Sequence, residues 1–319
     1  MNSEKINRKT LIGSADKISF APKRIFDAAS WLGVSVVCLL SLMYSGEIKA
    51  AVLSGLRLGA TVIVPSVFPF MIFADYYSSH ASGGGIIGRT FCRLFGISER
   101  LGGAFICGNI FGFPIGVRMA ERLYEGGAIS KSELEDSIGL LNNPSIVFVL
   151  CASSFVLGEN KKIIPIIAVL SATFIVGMIF RRKTAYSLNY AYNPRQRFDL
   201  SHSIRDAALS CVGICAYISF FSAAIALVKI AGNSDFLSVI LAPFLEVGTA
   251  VDVIGKSALD SSIKCGLLAF SLGFSGLSVH MQAFGILPEK ISKRKYFLMK
   301  TCEGAIAFLI CIIIDYLVS

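Results

Sequence analysis

The stretch IIPIIAVLSATFIVGMIF, residues 163–180, contains no charged side chain and is followed directly by Arg181-Arg182-Lys183. An uncharged apolar run of this length is close to the ~20 helical residues that cross a bilayer. Basic residues at the end of such a run are typical of the cytosolic side of the membrane. The stretch therefore predicts a membrane helix that ends in the cytosol.

Three other predominantly apolar stretches also predict membrane helices: Trp31–Tyr44, Ala207–Ile230 and Phe297–Val318. The chain as a whole is 54% hydrophobic and 16% charged, with a mean hydropathy of +0.68. Ordinary soluble domains carry roughly 25% charged residues. The sequence therefore predicts an all-α polytopic membrane protein.

Glycine, proline or charged residues interrupt five further apolar stretches: Ala50–Tyr77, Leu101–Met119, Pro144–Gly158, Phe236–Ile254 and Cys265–Leu287. Irregular backbone at membrane depth is tolerated only where protein or a water-filled cavity covers it. We therefore expect about eight membrane segments, some of them broken or re-entrant helices. The proline pair Pro65 and Pro69 predicts one of the interruptions.

The distribution of basic residues predicts the domain organisation. A polar, basic tail at residues 1–28 precedes the first membrane half, residues 29–180, and a basic linker, residues 181–206, separates it from the second half, residues 207–319. Paired broken segments suggest that the halves are related, with the Gly112 segment corresponding to the Gly273 segment. No clear cleavage site follows the tail, which favours an uncleaved first helix and a cytosolic N-terminus over a signal peptide.

Several functional classes are disfavoured. The net charge of +9 comes from basic runs beside apolar blocks, and no basic-aromatic motif indicates nucleic acid. The nine cysteines are odd in number, lie mostly in apolar stretches and include no CxxC pair, so neither a disulfide framework nor a zinc site is indicated. HExxH and GxSxG are absent, and His80, His202 and His280 are far apart, so we expect no enzyme, no cofactor and no metal.

The most informative motif is GNIFGFPIGVR, residues 108–118. Its glycines recur every four residues, which on a helix creates a flat face for close helix packing. The same glycines and Pro114 weaken the helix, and a helix break could present free N–H groups and Asn109 to an anionic solute. Arg118 either contacts such a solute or begins the polar stretch 118–136, which predicts a surface helical hairpin with a capping box at Ser130 and Glu133.

A second motif, Asn142-Asn143-Pro144-Ser145, starts an apolar run. Amide side chains at a helix start suit a carboxylate or amide ligand. In the second half, Ser275, Ser278 and Gln282 share one helical face beside Gly276, although such hydroxyls also bond their own backbone.

Charged residues also interrupt the second half. Glu246 lies in an apolar stretch between Pro243 and Gly248, where proton or sodium coupling, ligand contact or a buried pair would each explain it. Lys300 and Glu303 are three residues apart, and we interpret them as a structural pair.

The elements GFPIGVR (112–118), Asn142-Asn143 and GFSGLSV (273–279) resemble, in the same order, those of the YlbJ (SpoVV) family of sporulation integral membrane proteins. That resemblance extends from about Pro65 to about Lys300. It implies a nucleoside-recognition gate fold, a role late in spore formation and transport of dipicolinate (pyridine-2,6-dicarboxylate) across the outer forespore membrane.

The resemblance also implies which residues form the site. Gly112, Pro114 and Gly116 match the first element, Asn142 and Asn143 the second, Ser275, Gly276 and Ser278 the third, and Glu246 a preceding carboxylate. Two positions depart from the family pattern: Arg118 stands where lysine is usual, and Pro144 comes earlier than the expected proline.

Our leading hypothesis is a membrane transporter for a small anionic solute. The predicted solute-binding residues are Asn109, Gly112, Pro114, Gly116, Arg118, Asn142, Asn143, Ser145, Ser275, Gly276, Ser278 and Gln282, with Glu246 for coupling or gating. The alternatives are a non-transporting membrane scaffold for spore assembly and a nucleoside-type transporter. The expected partners are the solute and the lipid bilayer, and the sequence does not indicate an oligomeric state.

Overall fold

A computed structural model describes residues 34–80, 85–182 and 198–318. Every regular element within these ranges is a helix, which confirms the predicted all-α polytopic membrane fold. The predicted tail 1–28 and residues 183–197 of the predicted linker lie outside the described residues. The chain divides into two compact units, 1–49 and 50–319, and the candidate site described below lies in the second unit.

The described residues contain fifteen α-helices. They are α1 (Val34–Met43), α2 (Ser45–Leu58), α3 (Val64–His80), α4 (Gly85–Phe95), α5 (Gly102–Phe111), α6 (Ile115–Glu125), α7 (Lys131–Leu141), α8 (Ile146–Leu157), α9 (Ile163–Ile179), α10 (Leu200–Gly232), α11 (Asp235–Leu245), α12 (Val247–Lys256), α13 (Ser261–Phe274), α14 (Gly276–Ile286) and α15 (Arg294–Val318).

Five helical stretches in the described ranges are long and apolar enough to cross a membrane: Ser45–Ser79, Lys131–Leu157, Leu200–Gly232, Ser261–Ile286 and Arg294–Val318. Three shorter apolar helices, α1, α9 and α11, accompany them. The predicted span at residues 163–180 coincides with α9. α10 is longer than predicted, because it begins at Leu200 inside the range taken as linker, where the Asp199 carboxylate accepts hydrogen bonds from the amides of Ser201 and His202.

The predicted interruption at Pro65 and Pro69 is wrong. A π-helical turn, Gly59–Ile63, joins α2 to α3, and α3 continues through Pro69. π-helical turns are rare and occur mostly as single turns inside longer α-helices. The π-helical turn ends at Ile63, two residues before Pro65, and the helix continues through both prolines without a break.

Four other places contain breaks between short helices. They are the α5–α6 break at Gly112–Pro114, the α7–α8 break at Asn142–Ser145, the α11–α12 break at Glu246 and the α13–α14 break at Ser275. The helices beside the α5–α6 break have 10 and 11 residues. At ~1.5 Å per residue, each of them is shorter than the ~30 Å hydrocarbon core.

Helices α5–α9 and α11–α15 have the same order of elements. In the first set, the broken helices α5–α6 and α7–α8 precede the unbroken helix α9. In the second set, α11–α12 and α13–α14 precede α15. The packing is reciprocal, because α15 contacts α7 while α9 contacts α13, and α9 and α15 contact each other. By this order the Gly112 break corresponds to the Glu246 break, and the Asn142 break to the Ser275 break. The sequence pattern instead pairs the Gly112 segment with the Gly273 segment, which lies one broken helix further along the second half.

The α6–α7 hairpin is present, and its capping box is confirmed: Ser130 Oγ accepts from the Glu133 amide, and the Glu133 carboxylate accepts from the Ser130 amide. The hairpin is more buried than predicted. Most of α6 from Ile115 to Leu123 is inaccessible, because α6 packs on α3, α5 and α7.

Helices α13 and α15 lie against each other along their lengths. Gly273 and Gly304 allow the close approach, since a methyl group on Gly273 would lie 3.1 Å from the Gly304 Cα. The N-terminal end of α13 is tied to the C-terminal end of α15 by the Cys265–Cys311 disulfide, which the sequence did not indicate, and by a hydrogen bond from Ser262 to Asp315.

Candidate functional site

The α5–α6 break contains the first predicted motif. α5 ends at Phe111, Gly112 has a φ of 85°, and α6 begins at Ile115. The peptide bond between Phe113 and Pro114 is cis. Because side chains disfavour positive φ, the turn itself requires glycine at position 112.

The three glycines of this motif pack on the α7–α8 break. A methyl group on Gly108 or Gly116 would overlap the carbonyl oxygen of Leu141, and one on Gly112 would lie 2.7 Å from the Ser145 nitrogen. Close backbone approach of this kind is the usual role of small residues between membrane helices. The glycine spacing therefore serves packing between the first two breaks.

Two asparagines connect these breaks to α15. Asn109 donates to the Phe105 carbonyl at 2.8 Å and accepts from Asn143 Nδ2 at 3.0 Å. Asn143 also donates to the Leu140 carbonyl at 3.1 Å, and its Oδ1 accepts from Lys300 Nζ at 2.9 Å. Asn143 is buried, so the α7–α8 break holds a lysine in the protein interior.

Lys300 and Glu303 form an ion pair with Nζ–Oε2 2.7 Å, and both side chains are fully buried. The second carboxylate oxygen, Oε1, accepts from Thr173 of α9 at 2.7 Å. Both residues lie within the apolar span α15. Charged groups at membrane depth are costly unless they are paired and hydrogen-bonded, and they commonly mark functional sites.

A second polar chain adjoins the pair. Tyr296 Oη lies 2.7 Å from Asn142 Nδ2 and 2.8 Å from His280 Nδ1. The rings of Phe274 and Phe297 surround His280, with centroids at 4.7 and 5.5 Å. Asn142 Oδ1 and His280 Nε2 are buried and have no hydrogen-bond partner among the described residues. Buried polar atoms are nearly always paired, so these two are available to a ligand.

Glu246 is buried at the α11–α12 break. Its carboxylate caps α12 by accepting from the amides of Gly248, at 3.0 Å, and Thr249. A carboxylate is stabilised at a helix N-terminus by these amides and by the helix dipole. Among the described residues, no basic side chain forms an ion pair with Glu246.

The α13–α14 break lies against Glu246. Ser275 has a φ of 74° and Gly276 a φ of 69°, and a methyl group on Gly276 would lie 3.3 Å from the Glu246 nitrogen. The Ser275 hydroxyl donates to the Leu272 carbonyl at 3.3 Å. For Ser275, bonding to its own helix is therefore the observed arrangement.

The remaining predicted site residues take up local positions. Ser145 caps α8 by accepting from the Phe148 amide at 3.1 Å. Gln282 Nε2 lies 3.4 Å from Ser278 Oγ, and both are buried on α14. The expected shared face of Ser278 and Gln282 is present, but Ser275 lies in the break outside the helix.

Arg118 belongs to a different cluster. Its guanidinium is bound by Asp75 of α3 and donates to Ser210 Oγ of α10 at 3.0 Å, while Ser203 donates to the same aspartate at 2.8 Å. None of these hydrogen bonds involves another predicted site residue. The structure therefore does not bring Arg118 together with the asparagines.

A small cleft, with space for about one water molecule, lies beside the first two breaks. Asn109, Asn143 and Thr173 line it together with Pro144 and apolar side chains of α8 and α9. Asn143 and Thr173 are also the hydrogen-bond partners of Lys300 and Glu303. The cleft is therefore lined by two residues that form hydrogen bonds with the buried ion pair.

Sequence reasoning found Asn142 and Asn143 and interpreted Lys300 and Glu303 as a structural pair, but it did not connect them, and it missed Thr173, His280 and Tyr296 as members of the site. Two charges three residues apart inside an apolar stretch were the available signal for Lys300 and Glu303. Tyr296 and Thr173 carry no such signal. Within the described ranges, no three His, Cys, Asp or Glu side chains are close enough to hold a metal ion.

The chain is similar to one curated protein, the sporulation integral membrane protein YlbJ of Bacillus subtilis (strain 168). The two are 23% identical over 302 aligned residues, covering 80% of this chain and 74% of the relative. No family model and no solved structure matches the chain. The similarity supports the integral membrane character that the helices indicate.

Proposed function

We propose that the chain is a member of the YlbJ family and a sporulation membrane transporter that moves a small anionic solute, dipicolinate, without changing it chemically. The name of the B. subtilis relative, a sporulation integral membrane protein, supports the sporulation role. The family resemblance of the three motifs implies the solute and the outer forespore membrane. The proposed site lies where the α7–α8 break meets α15.

The hydrogen bond between Asn143 and Lys300 is the observation on which this proposal depends. An ammonium group has three N–H donors, and in the described residues Lys300 uses two of them, toward Asn143 and Glu303. The third donor is free to meet a solute carboxylate. A dianion in a low-dielectric core needs fixed donors of this kind.

His280 would complete the binding of an aromatic dicarboxylate, while Asn142 holds the Tyr296 hydroxyl that contacts the His280 ring. Among the described residues, His280 Nε2 has no hydrogen-bond partner, and an N–H at this position can donate to the second carboxylate. The aromatic rings around His280 offer edge and face contacts to a flat ring. In this proposal Lys300 supplies the positive charge that the sequence assigned to Arg118, whose guanidinium is bound by Asp75.

Uptake into liposomes tests the function. Purified protein should move radiolabelled dipicolinate into vesicles, and Lys300→Met should abolish the uptake. Lys256→Met is the matched control, because Lys256 is exposed and pairs with Asp252 on the surface of α12. If wild-type vesicles neither take up nor bind dipicolinate, the proposal is wrong.

A thermal-shift comparison separates the solute classes. Dipicolinate should raise the melting temperature of the detergent-solubilised protein, whereas nucleosides should not. A shift with nucleosides alone would favour the nucleoside-type alternative. A fluorescent C-terminal fusion in sporulating cells should label the membrane around the forespore, and protease accessibility of an N-terminal tag should place the tail in the cytosol.

A further inference from the structure

We infer that Glu303 is the proton-coupling group of this transporter: the site at Lys300 takes up one proton with each solute carboxylate that it binds. The inference rests on the proposed function and adds to it the coupling ion and the residue that carries it. It depends on the geometry of one fully buried ion pair.

The pair is electrically balanced in the structure. Lys300 Nζ lies 2.7 Å from Glu303 Oε2, and neither side chain has exposed surface. Thr173 donates to the other carboxylate oxygen at 2.7 Å, so both oxygens of Glu303 have a partner. The site thus holds one positive and one negative charge, and a third charge would leave it with a net charge.

A solute carboxylate that binds Lys300 adds that third charge. Two carboxylates would then share one ammonium in a buried site, an arrangement that disfavours ionisation of both. An uncompensated charge is strongly disfavoured in the protein interior. One proton bound to Glu303 offsets the charge of the carboxylate that Lys300 binds, and the second carboxylate of dipicolinate remains charged. The proton enters with the solute, and it leaves when the solute departs and Glu303 pairs with Lys300 again.

The surroundings identify Glu303 as the group that takes the proton. From α15, Tyr296 and Lys300 are the neighbouring titratable groups, and from α14 it is His280, which is bonded to Tyr296. From α9 the contact is the Thr173 hydroxyl, and from the α7–α8 break it is the Asn143 amide, which bonds Lys300. The α13 residues against the backbone of 303–304 are Gly273, Phe270 and Phe274. In the described residues, no second acidic group bonds Lys300.

Glu246 is the coupling residue predicted from sequence, and its carboxylate is stabilised in a different way from that of Glu303. Its charge is held by the amides of Gly248 and Thr249 at the start of α12. Solute binding at Lys300 removes none of these partners. Glu246→Gln is therefore the informative control, since it neutralises a second buried carboxylate that lies outside the ion pair.

The experiment uses proteoliposomes with an entrapped pH dye and the membrane potential clamped at zero by valinomycin and potassium. Entry of dipicolinate should acidify the lumen, with about one proton per solute. A gradient of one pH unit, alkaline inside, should raise dipicolinate accumulation about tenfold, the factor that one coupled proton supplies. Glu303→Gln, which mimics the protonated acid, should bind dipicolinate but lose both effects, whereas Glu246→Gln and the exposed Asp252→Asn should keep them.

Infrared difference spectra give a second readout that needs no transport. Dipicolinate should produce a protonated-carboxyl band in the wild type that Glu303→Gln lacks, and the wild-type band and proton ratio decide the matter if the variant does not fold. Uptake without proton entry, or proton entry retained in Glu303→Gln, overturns the coupling role alone. Absence of dipicolinate uptake and binding in the wild type overturns the proposed function, and the coupling role with it.

Discussion

Arg118 and Asp75 are joined by two parallel hydrogen bonds, Nε to Oδ1 at 2.9 Å and Nη2 to Oδ2 at 2.7 Å, between helices α6 and α3. Both side chains are nearly inaccessible, with 6% and 8% of their surface exposed. A forked guanidinium binds a carboxylate in this bidentate way, and here the carboxylate belongs to the protein itself. Arg118 therefore holds α3 to α6.

Replacing Arg118 with alanine should destabilise the protein. Asp75 would remain buried without its main partner, and breaking one side of a buried ion pair costs about 3–5 kcal/mol. We expect a clear fall in melting temperature in detergent micelles. The double variant Asp75→Leu/Arg118→Met should recover most of the loss, because it removes both charges together.

The same double variant tests whether Arg118 contacts the solute. If Arg118 is structural, the folded double variant should bind dipicolinate with wild-type affinity in a titration calorimeter. A loss of more than about tenfold in dipicolinate affinity, equal to ~1.4 kcal/mol, would show that Arg118 contributes to solute binding.

Replacing Asn143 with alanine should impair solute binding. The change removes the acceptor that positions Lys300 and the donor to Asn109. We expect dipicolinate affinity to fall at least tenfold, since hydrogen bonds to charged groups contribute ~1.5–3 kcal/mol. Asn233→Gly is the matched control, because Asn233 is an exposed residue with a φ of 44° where glycine is tolerated. Equal affinities for the two variants would contradict the site.

Replacing Gly116 with alanine should destabilise the first two breaks. The added methyl group would overlap the Leu141 carbonyl oxygen, and overpacking of this kind costs about 1–3 kcal/mol. Gly213→Ala in α10 meets open space and should stabilise its helix by about 0.5–1 kcal/mol. Opposite shifts in melting temperature would support the packing role, and a neutral Gly116→Ala would refute it.

The stability of the protein should depend on pH through Glu121, which lies on α6 outside the five membrane spans. Burial, with a contribution from Glu125, raises the pKa of Glu121 from 4.5 to about 8. Between these values the folded protein holds a proton that the unfolded chain has lost, so the contribution of Glu121 to stability falls as the pH rises from about 4.5 to about 8.

Glu121→Gln should therefore raise the melting temperature increasingly from pH 5 to pH 8, relative to the wild type, and then level off. Glu289→Gln, at an exposed position, should change it little at any pH in this range. The opposite trend, with the benefit of the glutamine confined to acid pH, would show that Glu121 is stabilised in its ionised form.

The membrane fold follows from sequence because lipid imposes length and hydropathy on each span directly. The span at 163–180 and the capping box at Ser130 depend on local residues alone, and both are present. The break at Pro65 and Pro69 was wrongly predicted because a π turn allows the helix to continue. Local patterns do not reveal such an adjustment.

The candidate site depends on pairings between distant parts of the chain. Asn143 and Lys300 are 157 residues apart, and Thr173 and Glu303 are 130 apart. Local spacing places Lys300 beside Glu303 on one helix, which is why the pair was interpreted as merely structural. Only the packing of α15 on α7 and α9 shows that Asn143 of the α7–α8 break binds this pair.

The ties between α13 and α15 have a consequence for how the molecule can move. The Cys265–Cys311 bridge and the close Gly273–Gly304 contact make these two helices one rigid body, which carries the ion pair. Asn143 belongs to the other half, as does Thr173. A rearrangement that separates the two halves for alternating access must therefore break the Asn143–Lys300 and Thr173–Glu303 hydrogen bonds in the same step. Lys300 and Glu303 then lose these partners together, and a solute or a proton can bind in their place.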